Sequence, residues 1–133
     1  MNKILLLLSL TALAFGSDYK DFAQKMGYEI SYKQALERAK EEDKDVLVLT
    51  ISNFCPWCSK LEKRVLSKQE IDKAVRAKFI PVILNKEEKN LPQKYAAPIV
   101  PTLYLVKPKK EEVYDTQVGY LNKTDMIKFI AKP

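Results

Sequence analysis

The chain has 133 residues, 47% hydrophobic and 30% charged, with 23 Lys and Arg against 17 Asp and Glu, two cysteines and no histidine. That length accommodates one buried core and excludes a string of domains, while two cysteines exclude a disulfide-rich scaffold. The formal charge of +6 is spread through mixed runs such as Lys40-Glu41-Glu42-Asp43-Lys44, which read as a solvated surface, and no motif points to nucleic acid as a partner.

Met1-Asn2-Lys3 leads into an apolar stretch from Ile4 to Phe15, followed by Gly16, with small residues at Ala14 and Gly16. This pattern predicts a secretory signal peptide over 1–16, cleaved after Gly16 to leave a single domain over 17–133. The apolar run is shorter than the roughly 20 residues a membrane-spanning helix needs. Its removal takes Lys3 and no acid, so the charge falls from +6 to +5. A periplasmic or otherwise secreted location follows as the expectation.

Residues 17–30 predict a short helix and a brief edge strand at Tyr28 to Ile30. Ser31-Tyr32-Lys33-Gln34 fits a capping box, and Tyr32, Ala35, Leu36 and Ala39 recur at helical spacing, which predicts a helix over 31–42. Val46 to Ile51 is continuously apolar and β-branched, the pattern of a strand covered on both faces. After the two cysteines, Leu61, Val65 and Leu66 extend a helical stripe, and Ser67-Lys68-Gln69-Glu70 offers a second capping box for a turn carrying Ile71, Ala74 and Val75. Phe79 to Leu84 predicts a second buried strand, with Pro81 requiring an edge, an end or a bulge. Pro92 opens a short helix, 102–107 and 113–118 form an antiparallel hairpin, and Asn122 caps a last helix with Met126, Ile127, Phe129 and Ile130 on its apolar face. Strands alternating with helices predict an α/β fold, a mixed central sheet with helices on both faces and a C-terminal β-hairpin plus helix.

The chemistry is concentrated in Phe54-Cys55-Pro56-Trp57-Cys58-Ser59, between the first strand and the following helix. Disulfide exchange needs a thiolate, and a helix N-terminus lowers a thiol pKa from its usual ~8.5. Pro56 suits the first helical position, leaving Cys55 at the cap, where the first-turn amides face its sulfur. Cys58 lies one turn on, within disulfide reach and on the more buried side. Cys55 is thus the candidate nucleophile and Cys58 the thiol that resolves the mixed disulfide. A permanent staple across so short a loop would contribute only about 2 kcal/mol by chain entropy. Structural zinc wants four Cys or His ligands, and covalent haem attachment wants a histidine where Ser59 stands, so no metal and no cofactor are expected.

With these residues in place, the chain from about Ser31 onward resembles the thioredoxin superfamily. A strand leads into Cys55-Pro56-Trp57-Cys58 and a helix, and later Ile99-Val100-Pro101-Thr102 opens a hairpin, like that family's Ile-Pro-Thr segment. The resemblance implies a thioredoxin-like fold, a cis Val100–Pro101 bond beside the redox pair, and substrate docking by strand addition at Val100 and Pro101. Lys44-Asp45-Val46, Ser59-Lys60-Leu61-Glu62 and Ser67-Lys68-Gln69-Glu70-Ile71 are similar to the periplasmic reductase branch, including the soluble C-terminal domain of the membrane electron conductor. Two family features are missing. Leu49 stands where thioredoxin-like reductases usually carry a buried aspartate, and Ile83 stands near the place of its partner lysine. Glu62, one turn after Cys58, is the candidate replacement base or pKa modulator. Trp57 is expected to touch substrates or shield the disulfide, and Pro56-Trp57 together tune the potential.

The expected activity is that of an exported thiol-disulfide oxidoreductase acting on protein disulfides and thiols. The resemblance favours a monomeric reductase recharged by a membrane electron-transfer partner. A disulfide-donating oxidase and a non-enzymatic peptide-binding module remain the alternatives.

Overall fold

Seven residues, Asp45–Ile51, form the central strand β1, and six of them are buried. In the computed structural model, which describes residues 18–89 and 91–132, β1 pairs in parallel with β2 (Phe79–Asn85) and antiparallel with β3 (Thr102–Lys107). β4 (Glu112–Val118) closes the antiparallel hairpin, giving the order β2-β1-β3-β4 with one irregularity between Leu105 and Val106. The signal peptide expected over 1–16 lies outside the described residues.

The two-residue period of β1 divides the core. Val46 and Val48 join Ile80, Val82, Leu84, Tyr104 and Val106 under α2 (Tyr32–Glu42) and a 3-10 turn at Gln93–Tyr95, which supply Ala35, Ala39 and Tyr95. Leu47, Leu49 and Ile51 face the other way. They pack with Ile83, Leu103 and Leu105 beneath α1 (Asp18–Met26), α3 (Pro56–Leu61), α4 (Gln69–Lys78) and α5 (Lys123–Ile130). Each large apolar side chain so buried contributes about 1.5–3 kcal/mol, so both sheet faces need their helices. Among the described residues, no helix is long and apolar enough to cross a membrane.

Three local expectations are corrected. Ser67 does not cap α4: Lys68 holds that position without a side-chain bond, while the Ser67 hydroxyl donates back to the Lys63 carbonyl at 2.7 Å. The reason lies in a π-helical segment, Glu62–Leu66, that continues α3 and claims Ser67 as its C-terminal cap. Tyr28 to Ile30 make one parallel bridge, Glu29 to Val82, rather than a strand. Pro92 precedes a 3-10 turn rather than sitting inside a helix. Pro81 lies in β2, the edge strand of the four-stranded sheet, where its nitrogen faces away from β1 and so costs no ladder bond, and its carbonyl accepts from the Glu29 N–H at 2.9 Å.

Candidate functional site

β1 ends at Ile51 and the chain must reverse into α3 within four residues. Asn53 fixes this passage. Its backbone N–H donates to Glu87 Oε1 at 3.2 Å, its side-chain Nδ2 donates to Glu87 Oε2, and its side-chain Oδ1 accepts from Asn85 Nδ2 at 2.8 Å. Asn85 is the last residue of β2 and Glu87 follows two positions later, so the redox turn is tied to the end of the neighbouring strand. Phe54 then adopts the left-handed region at φ 55° with its ring wholly exposed. For an L-residue this conformation costs about 1–2 kcal/mol.

Cys55 caps α3 with extended backbone, and its Sγ accepts from the Cys58 N–H at 3.1 Å. Pro56 occupies the first helical position. The two cysteines form a disulfide with their Cα atoms 5.2 Å apart. Cys55 is half-buried at the rim, whereas Cys58 is 3% exposed and belongs to the core beneath α3. The more accessible sulfur is therefore the one that accepts a helix amide, a contact that favours the thiolate, while the other is shielded from solvent.

Under Cys58 the sheet is apolar. Leu49 and Ile83 are register partners in β1 and β2, both buried in the same cluster as Cys58. The sheet offers no carboxylate and no ammonium there. Glu62, one turn after Cys58, is instead turned inward and only 6% exposed. It starts the π-helical segment, a device that often re-aims a side chain at a functional site.

Two further pieces border the disulfide. The Val100–Pro101 peptide bond is cis, Val100 packs against the core cluster containing Cys58, and Pro101 is buried. The Thr102 hydroxyl donates to the Ile99 carbonyl at 2.6 Å, and the Gly119 N–H donates to the Pro101 carbonyl at 2.8 Å. Gly119 has φ +85°, so a side chain here would strain the backbone even though space for it is open. Trp57 is 53% exposed, its ring 5.5 Å from that of Tyr120 and 4.2 Å below the Lys60 ammonium.

Sequence reasoning singled out Cys55, Cys58, Pro56, Trp57, Glu62, Val100 and Pro101, and did not name the residues that bond or pack around them. Asn53 carries a turn-residue signal, and Gly119 follows the last strand as a turn glycine does. Glu87 and Tyr120 carry no local signal, because their partners Asn53 and Trp57 are distant in sequence, whereas Thr102 bonds Ile99 only three residues back. Among the described residues, no group of three or more His, Cys, Asp or Glu side chains is placed to hold a metal ion. A cavity of about 400 Å³ between α1, the start of α2 and the end of β2 shares no residue with the redox turn.

Residues 32–132 match the family model of the thioredoxin-like domain. No curated protein matches the chain. Among solved structures, a thioredoxin from Thermus thermophilus superposes with a TM-score of 0.69 at 23% identity, over 78% of this chain and 84% of that one. The oxidised C-terminal domain of Neisseria meningitidis DsbD gives 0.62 at 18%, over 78% and 97%. A disulphide isomerase from Xylella fastidiosa Temecula1 gives 0.61 at 25%, over 74% and 85%. A family-model match across most of the chain, with a Cys-Pro-Trp-Cys disulfide turn after a strand and a cis Val100–Pro101 bond within it, makes this chain a member of the thioredoxin-like family.

Proposed function

We propose that this chain is an exported, monomeric thiol-disulfide reductase of protein disulfides, recharged by a membrane electron donor. One observation carries the exchange chemistry: the disulfide joins a rim sulfur that accepts a helix amide to a buried sulfur one turn below. In the reduced protein the Cys55 thiolate attacks one sulfur of a substrate disulfide. A mixed disulfide forms and the other substrate sulfur leaves as a thiolate. Cys58 gives up its proton and attacks Cys55 Sγ, closing the internal disulfide and releasing the second substrate sulfur, which takes a proton. The substrate gains two electrons and the pair loses two. A dithiol donor then reverses the internal step.

Leu49 leaves the Cys58 proton without the acceptor that the family usually places beneath it, and buried Glu62 is the carboxylate one turn away. Glu62 therefore takes the role of base or pKa modulator. Val100 and Pro101 present the backbone edge on which an extended substrate docks, and Trp57 adds an apolar contact beside it. Export rests on the apolar leader over 4–15, and the reductase direction on the flanking sequence. The likeness in fold to the DsbD domain fits both.

The equilibrium potential of the pair against glutathione, measured with the Cys55 pKa, tests direction. A potential near about −270 mV with a pKa near about 7 supports a reductant; values near about −120 mV and about 3.5 make the protein an oxidase. Cys58→Ser should trap mixed disulfides with client proteins through Cys55. Failure to trap any, together with no exchange by the wild type, would remove the enzymatic reading and leave a binding module.

A further inference from the structure

Along the chain the basic residues read as a solvated surface, but the folded α3 segment sorts them. Lys60, Lys63 and Arg64 fall within five positions, and the only acid among those positions, Glu62, is turned into the core. Lys63 and Arg64 are exposed and have neither an ion pair nor a side-chain hydrogen bond among the described residues. Lys60 lies over the Trp57 ring at 4.2 Å. Trp57 and Lys60 lie three residues apart on α3, and Lys63 and Arg64 follow as exposed residues of the π-helical segment that continues it. Two other acids are already engaged: Glu70 holds Lys123 at 3.0 Å, and Glu87 spends both oxygens on Asn53 of the redox turn. An exposed aromatic next to three uncompensated cations, one of them two residues from Cys58, is a surface with a sign.

We propose that this face docks an acidic segment of the client immediately beside its disulfide, so that preferred substrates carry Asp or Glu within a few residues of the attacked cysteine. The chemistry of exchange rests on the reading above, while the docking does not. An acidic flank would approach faster and stay longer near Cys55, and a basic flank would be repelled from the same cations. The preference is electrostatic and must fade with salt, since the screening length falls from about 10 Å at 0.1 M to about 3 Å at 1 M.

Two short peptides with the same disulfide, flanked by Glu in one and by Lys in the other, test this with the full chain. The expected result is a roughly tenfold faster reaction of the acidic peptide at low salt, shrinking to about twofold at 1 M. Lys63→Glu with Arg64→Glu should invert the preference. Lys109→Glu with Lys110→Glu, an equal change of net charge at the exposed β3–β4 turn, should leave it standing. Cysteine-free versions of both peptides report binding through Trp57, the only tryptophan in the chain. Equal rates and equal Trp57 titrations overturn the proposal, as does a preference that the Lys109 and Lys110 changes alter as much as the Lys63 and Arg64 changes do. A small uncharged disulfide tests exchange alone: if the wild type leaves it untouched, the redox reading falls, and the Trp57 titration still decides docking.

Discussion

The N-termini of α2 and α3 are built alike. At one, Ser31 Oγ accepts from the Gln34 N–H at 3.3 Å; at the other, Cys55 Sγ accepts from the Cys58 N–H at 3.1 Å. Each cap has extended backbone and satisfies one orphan donor of the first turn. The helix amides act on both atoms in the same way, yet only a thiol titrates within reach of neutral pH, and only Cys55 has a second sulfur one turn on. The surroundings differ as well. Ser31 and Tyr32 line the 400 Å³ cavity, whereas the Cys55 turn pushes Phe54 and Trp57 out to solvent. Helix capping provides the electrostatics at both ends; the chemistry comes from the atom placed there and from what is left uncovered around it.

Cys55→Ser turns the second cap into a copy of the first, and it should have the largest effect. Exchange with protein disulfides should fall to background, by on the order of 10³-fold or more, because a serine hydroxyl does not ionise near neutral pH. The fold should survive. Measured with reductant present, so that neither protein holds the disulfide, denaturant unfolding should place the variant within about 1 kcal/mol of the wild type. A much larger loss would show that the sulfur caps α3 in a way a hydroxyl cannot.

Glu62→Gln asks what lies beneath the two caps. Seven residues past its cap α2 carries Arg38, an ion-paired side chain that accepts no proton, whereas seven residues past Cys55 the chain buries Glu62. The neutral amide keeps shape but cannot accept the Cys58 proton, so release of a preformed mixed disulfide should slow about tenfold and lose part of its pH dependence. Attack by Cys55, measured separately by alkylation, should change less. Stopped-flow resolution rates against pH decide this, and an unchanged profile removes Glu62 from the mechanism.

The same contrast explains what could be read in advance. Ser31 and Asn122 were legible as caps because the cap and its amide are three residues apart, and the structure gives Asn122 Oδ1 the Asp125 N–H at 2.9 Å. The strands were legible from their β-branched runs, and the redox turn from its cysteines. Ser67 looked the same as Ser31 in sequence and behaves differently, because the π-helical segment before it shifts the hydrogen-bond register by one residue. The Asn53–Glu87 brace and the Trp57–Tyr120 contact join residues dozens of positions apart, and no local pattern encodes such pairs. Glu62 was placed by helical spacing, but its burial depends on the same π-helical segment.

Ser31→Ala should sharpen the comparison from the other side. Removing this acceptor leaves the Gln34 N–H without its partner and should cost about 1 kcal/mol of stability, read from the urea midpoint. Exchange kinetics should not move. A slower reaction would mean that the two helix ends communicate through the sheet, contrary to the independence of the two core layers.

The smallest expected effect concerns buried hydroxyls on the two faces of the sheet. Beneath α2 they are paired: Thr50 Oγ1 donates to the Tyr95 carbonyl at 2.8 Å, and the Tyr32 and Tyr95 hydroxyls lie 2.9 Å apart. On the α3 side the buried Tyr28 hydroxyl has no hydrogen-bond partner among the described residues. Burial, reinforced by the Asp72 and Glu62 charges and opposed by Arg76, holds the Tyr28 pKa above the ordinary tyrosine value. The unfolded chain ionises this group near pH 10, while the folded one keeps its proton. Above that pH the unfolded state binds fewer protons, so this group's contribution lowers stability as pH rises. Tyr28→Phe removes both the unpaired hydroxyl and its titration. Stability at pH 7 should stay level or rise by up to about 1 kcal/mol, and the decline between pH 9 and about pH 11 should become shallower. Tyr32→Phe breaks a formed pair and should instead cost about 1 kcal/mol. If Tyr28→Phe proves the more damaging of the two, Tyr28 has a polar role beside Glu62 that the α2 face has no counterpart for.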